Sequence, residues 1–156
     1  PFVNEAQECL GGIGYVEETM MPRLYRQAPL NSIWEGSGNI QCLDVLRALA
    51  REPETREALF AELAAAGGRD RHYDAALARL PCLLEDAATL EYRSRAVVER
   101  TALLLQAAVL LRAGQEEIAA AFCRSRLAGE HGLAFGTLGP DAPVALLIGR
   151  AMATAA

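Results

Sequence analysis

Glu35 stands between Trp34 and Gly36 in the run Ile33-Trp34-Glu35-Gly36-Ser37-Gly38-Asn39, and it is the first carboxylate to weigh for proton-transfer chemistry. From its neighbours alone it reads more readily as an acid at a helix start, where the dipole favours negative charge, than as a catalytic group. Ser37 beside it is a candidate N-cap, and Gly11-Gly12 a candidate helix stop. Two glycine clusters fall short of a dinucleotide-binding fingerprint. Glu17 and Gln41 occupy the places of the required third glycine, and no strand pattern precedes either cluster. Cys9, Cys42, Cys82 and Cys123 are widely spaced without a CxxC pair, which supports neither a zinc site nor a redox motif and predicts small buried apolar residues. His72 and His131 lack ligand spacing, so no metal is expected and both are read as surface or structural. Arg47 and Arg51 lie one helical turn apart, and Arg93 and Arg100 share a helix face. Paired with Asp44, Glu91 and Glu99 they form solvated surface; unpaired, they suit phosphates.

Helices must position these residues. Alternating strand patterns are missing, and from about residue 37 onward apolar residues recur at three- and four-residue steps, so the fold class is all-α, a helical bundle. A first helix over Phe2 to Leu10 ends at Gly11-Gly12, a loop with Gly14 follows, and Pro22 begins a short helix through Arg26. Pro29 and Asn31 turn the chain before Trp34. Ser37 opens a helix to about Arg51, and Pro53 starts one that carries Leu59, Phe60 and Leu63 and stops at Gly67-Gly68. Asp70 opens a segment with Tyr73, Leu77, Leu80 and Leu84 in register, kinked at Pro81. A long helix from Thr89 to Ala113 ends at Gly114. Two more, Gln115 to Leu127 and Pro143 to Thr154, flank a loop bearing Gly129, Gly132, Gly136 and Gly139.

The 156 residues are 52% hydrophobic, enough for a packed core. All fifteen basic residues are arginine, and with twenty acids the formal net charge is −5, so bulk charge offers no sign of nucleic-acid binding. No export signal opens the chain, and a cytoplasmic location is expected. The most apolar run, Thr101 to Leu111, is shorter than the roughly 20 residues a spanning helix needs, and Gln106 interrupts it; a buried core helix is expected and no membrane partner. The chain opens on Pro1 and is read as a piece of a longer protein.

Three segments in series resemble the C-terminal helical domain of the acyl-CoA dehydrogenase family: Leu10-Gly-Gly-Ile-Gly-Tyr15, Pro22-Arg-Leu-Tyr-Arg26 and Ile33-Trp-Glu-Gly-Ser-Gly-Asn-Ile-Gln41. The wording from Tyr25 to Ile40, followed by Cys42-Leu-Asp-Val-Leu-Arg47, is most similar to the AidB-type branch, flavoproteins of the DNA alkylation response. The resemblance implies residues 1–51 as the end of that helical domain and 52–156 as an additional C-terminal helical region. It implies a full-length oxidoreductase with FAD, an acyl-CoA-type substrate and a homo-oligomer, a tetramer in the family. Glu35 matches the catalytic base that takes the α-proton while hydride passes to the flavin. Such a base works best where water is excluded, and Trp34 is expected in that wall. Ser37 and Asn39 match flavin-nucleotide contacts, and Gly11 and Gly12 a turn against a neighbouring subunit's flavin. Double-stranded DNA is associated with the branch, and Arg47, closing the matched motif, is its candidate contact. Relatives carry Arg-Asp-Ala and Glu-Gly-Thr where this chain has Arg26-Gln27-Ala28 and Glu35-Gly36-Ser37, and many have glutamine at Glu8.

Overall fold

A computed structural model of the chain describes residues 1–85 and 87–152, and no strand occurs among them. The all-α expectation holds. By contacts the chain forms two units, Pro1–Gln41 and Cys42–Ala156.

In the first unit, α1 (Phe2–Leu10) is followed by the one-turn α2 (Gly12–Tyr15), then α3 (Met21–Gln27) and a 3₁₀ turn, Ala28–Ser32. Pro22 lies in the first turn of α3, where its missing N–H costs nothing. The loop with Gly14 thus contains a helical turn that the glycine-rich spelling concealed. Gly11 does close α1, but at φ 62, ψ −146, so its conformation is extended with positive φ and not the expected left-handed helical cap. α1 packs on α2 and α3. Among residues 1–41 only Gly14 and Pro22 are buried, so this unit has no apolar core of its own.

α4 (Gly38–Arg51) leads into the second unit, which continues with α5 (Pro53–Ala64), α6 (Arg71–Glu85), the short α7 (Ala87–Leu90), α8 (Ser94–Arg112), α9 (Glu116–Phe122), a π-helical turn (Cys123–Leu127) and α10 (Val144–Ala151). The core gathers Leu63 from α5, Tyr73 and Leu80 from α6, Leu104, Ala107 and Ala108 from α8, Ala119 from α9, and Cys123. Burying these side chains contributes about 1.5–3 kcal/mol for each large one. The ends are tied by polar contacts. Asp70 Oδ1 accepts the N–H groups of His72 and Tyr73 at 2.8 and 2.9 Å, capping α6. Arg112 pairs with Glu62 between α8 and α5, and Arg69 Nη1 donates to Leu111 O at 3.2 Å.

Three expectations for this unit are corrected. The predicted helix from Thr89 to Ala113 is broken: α7 ends at Leu90, a turn follows, and Arg93 is the N-cap of α8 and not a member of it. Arg93 therefore shares no helical face with Arg100. Of the four cysteines only Cys123 is buried; Cys42 is half-buried and Cys9 and Cys82 are exposed, because they fall on helix sides that nothing packs against. The last helix begins at Val144, and its expected end at Thr154 lies outside the described residues. No described helix is long and apolar enough to cross a membrane, and no described cluster of His, Cys, Asp and Glu could hold a metal ion.

Candidate functional site

Glu35 sits in a turn built by the preceding 3₁₀ segment. Leu30 O accepts the N–H groups of Ile33 at 2.9 Å and Trp34 at 3.1 Å, and Ile33 O accepts Gly36 N–H at 3.2 Å. Gly36 then adopts φ 106, a conformation that side-chain-bearing residues rarely take, and this lets the chain swing directly from the carboxylate into α4. Gln41 Nε2 donates to Gly36 O at 3.1 Å and holds the swing from the other side. Glu35 is exposed, and so are its apolar neighbours: Ile33 is 63% accessible, Trp34 66% and Ile40 58%. Trp34 therefore closes no wall around the carboxylate within this chain, contrary to its expected place.

Ser37 occupies the N-cap position of α4 through its backbone, its carbonyl accepting Gln41 N–H at 3.1 Å. Its hydroxyl is exposed and makes no hydrogen bond to a described residue, so it is available to another acceptor or donor. Asn39 is exposed in the first turn, where backbone amides lack intrahelical acceptors and favour anions. At the far end of the first unit, a Cβ placed on Gly11 or Gly12 would meet nothing within 4 Å, leaving an open surface for a close-approaching group.

Two features of this unit escaped the sequence reading. A Cβ on Gly14 would lie 2.6 Å from Gln7 O, so Gly14 is needed for α2 to close on α1; Gln7 Nε2 donates to Gly14 O at 3.0 Å. The glycine motif signalled a tight approach but not its target. Arg26 grips Glu17 with both arms, Nη1–Oε1 2.7 Å and Nη2–Oε2 3.2 Å, pinning the loop after α2 to α3. Those hydrogen bonds hold the Glu17 carboxyl below the ordinary carboxylate range. Nine residues apart across a loop, this pair has no helical spacing to reveal it.

Arg47 in the second unit pairs with Asp44 one turn earlier on α4, its Nε 3.0 Å from Oδ1, with both side chains largely exposed. Arg93 donates to Thr89 Oγ1 at 2.7 Å, and Arg100 to Leu127 O at 3.3 Å.

The sequence profile of the acyl-CoA dehydrogenase C-terminal domain matches residues 2–50. Residues 2–50 belong to that family. AidB of Escherichia coli (strain K12), itself named only provisionally as an acyl-CoA dehydrogenase, is 45% identical over 127 residues, 81% of this chain and 23% of its own length. "Acyl-CoA dehydrogenase family member 11" of Caenorhabditis elegans is 53% identical over 47 residues, 30% of this chain and 8% of its own length. The chain thus spans less than a quarter of the curated relatives it matches. Glu35, Ser37, Asn39, Gly11, Gly12 and Arg47 all fall inside the matched stretch. The AidB similarity, 127 residues long against 49 for the family stretch, extends well into the second unit.

Proposed function

We propose that this chain is the C-terminal part of an FAD-dependent acyl-CoA dehydrogenase-like oxidoreductase, with residues 1–51 ending its helical domain and 52–156 forming an additional helical region. The observation that carries this reading is Glu35, exposed in a hydrogen-bonded turn with exposed Ile33, Trp34 and Ile40 close to it in sequence, within the matched family stretch. In the intact protein Glu35 takes the α-proton of an acyl thioester. Ile33, Trp34 and Ile40 exclude water there once the rest of the protein covers them. FAD, when bound, supplies the hydride acceptor. Ser37 and Asn39 bind its nucleotide part at the start of α4, and Gly11 and Gly12 admit the flavin of a neighbouring subunit of a homo-oligomer. The protein acts in the cytoplasm.

The test is Glu35→Gln in the full-length protein, which keeps shape and flavin and removes the basic oxygen. Acyl-CoA-dependent flavin bleaching should fall at least about 100-fold, the usual loss with a general base, with substrate binding kept. Equal bleaching by the two proteins would refute the assignment. A second reading, an AidB-like flavoprotein that binds double-stranded DNA with little dehydrogenase activity, is favoured by the exposure of the Arg47–Asp44 pair. An exposed pair is worth little and yields readily to a phosphate. Salt-sensitive duplex binding that Arg47→Gln weakens, in a protein whose flavin no acyl-CoA bleaches, would establish that reading in place of the first.

A further inference from the structure

In the second unit, α6, α8 and the residues closing the π-helical turn enclose a cleft of about 420 Å³. Eight residues line it. Arg79 and His72 come from α6 and Arg100 from α8, and not one of the eight is acidic, in a chain whose formal net charge is −5. Ala76, Leu83 and Leu127 give the rest of the lining an apolar character.

Several arginines outside the cleft are held in ion pairs. Arg26, Arg47, Arg112 and Arg124 are each matched to a carboxylate. Arg100 instead donates one arm to the backbone carbonyl of Leu127 at 3.3 Å, which orients the guanidinium without neutralising it. Arg79 has no ion pair or hydrogen bond among the described residues. Exposed Arg79 and half-buried Arg100 thus line a concave site whose lining holds no carboxylate, and the walls of a cleft focus such a field. A guanidinium fork matches the oxygens of a phosphate better than any other common anion-binding side chain does, and a half-buried fork already oriented loses less entropy on binding.

We propose that this cleft binds the phosphate group of a small ligand, whose remaining part lies on Ala76, Leu83 and Leu127. The volume is within the range of small-molecule sites, roughly 300–1,000 Å³. A nucleic-acid duplex is the poorer occupant. It would bring a long polyanion against an acidic chain, whereas the recess has the size for a small phosphate-bearing group. The inference stands apart from the reading of Glu35, since none of these residues lies in the matched family stretch.

The experiment is calorimetric titration of the full-length protein, saturated with FAD, with adenosine 5′-monophosphate as the probe. A duplex of about 20 base pairs is titrated in a parallel arm at the same salt. Arg79→Gln is the main variant, because Arg79 supports no contact of the fold; Arg100→Lys keeps the charge but loses the fork; Arg150→Gln, outside the cleft, is the control. The monophosphate should bind saturably, weakened about tenfold by Arg79→Gln, less by Arg100→Lys, and unchanged by Arg150→Gln. No saturable binding of the monophosphate overturns the proposal, as does binding that Arg79→Gln leaves intact. Duplex binding that depends on Arg79 without monophosphate binding overturns it in favour of nucleic acid. Failure of these titrations leaves flavin bleaching by Glu35 unaffected, so the two readings fail separately.

Discussion

Replacing Tyr73 by Phe isolates one buried hydrogen bond at the centre of the second unit. Tyr73 is fully buried, and its hydroxyl donates to Leu63 O at 2.7 Å. The substitution keeps the ring, so apolar burial is unchanged, and Leu63 O keeps its second donor, Ala66 N–H at 3.2 Å. With no acceptor orphaned, the loss is the net worth of one hydrogen bond, about 1 kcal/mol. That lowers the melting temperature by about 3–6 °C for a unit of this size. Alkali supplies a second arm. Burial pushes the Tyr73 hydroxyl from 10.0 up to about 12, so the folded state holds the neutral phenol. Below pH 10 both states are protonated and the stability is fully present; as pH rises toward 12 the unfolded chain ionises first and stability is lost. Cys123, pushed from 9.0 up to about 12 by burial and then by Asp70, acts in the same direction from pH 9. Urea unfolding followed by circular dichroism at pH 7 and pH 10.5 should show the wild type losing more stability in alkali than Tyr73→Phe. A loss above about 3 kcal/mol at pH 7 would refute the claim that Leu63 O stays satisfied. Equal alkaline losses in the two proteins would refute the role given to the phenol.

Asp70→Ala removes the cap of α6 and should cost about 1 kcal/mol, read as a lower urea midpoint with unchanged slope. Gly14→Ala forces a Cβ against Gln7 O and should separate α2 from α1, speeding amide exchange over residues 2–15 while leaving Leu104 protected. Arg124 hydrogen-bonds Asp141 and holds that carboxyl below its ordinary range. The pair therefore contributes above the ordinary carboxylate pKa and is lost as pH falls through the depressed one; a carbon-detected titration should show Asp141 protonating late, and Arg124→Gln should return it upward. The 156-residue chain alone should retain no stoichiometric flavin through gel filtration, because a flavin site needs walls that residues 1–41, with only Gly14 and Pro22 buried, do not supply.

The helices, their punctuation and the motif around Glu35 are written in local chemistry. Pro22 and Pro53 start helices because proline suits a first turn, Gly114 at positive φ follows the end of α8, and Asp70 caps α6 with its own carboxylate, whereas α5 stops at Ala64, short of Gly67-Gly68. Each depends on residues within a turn or two, so a one-dimensional reading reaches it. The same reading missed the break before α8, since Glu91-Tyr92-Arg93 contains neither glycine nor proline; Tyr92, 94% exposed, simply has nothing to pack against. Burial of cysteines also escaped it. A helical period says which residues share a face but not which faces find partners, and only the meeting of α6, α8, α9 and the π-helical turn covers Cys123 while Cys82, on α6 itself, stays exposed. Likewise Arg47 pairs with an acid one turn away, as spacing suggested, whereas Arg100 takes a carbonyl 27 residues distant, and Arg26 takes Glu17 across a loop. Partners at such separations are chosen by where packing brings the chain back, and that is why the carboxylate, its turn and the all-α class were legible in the sequence while the basic cleft belongs to the tertiary structure alone.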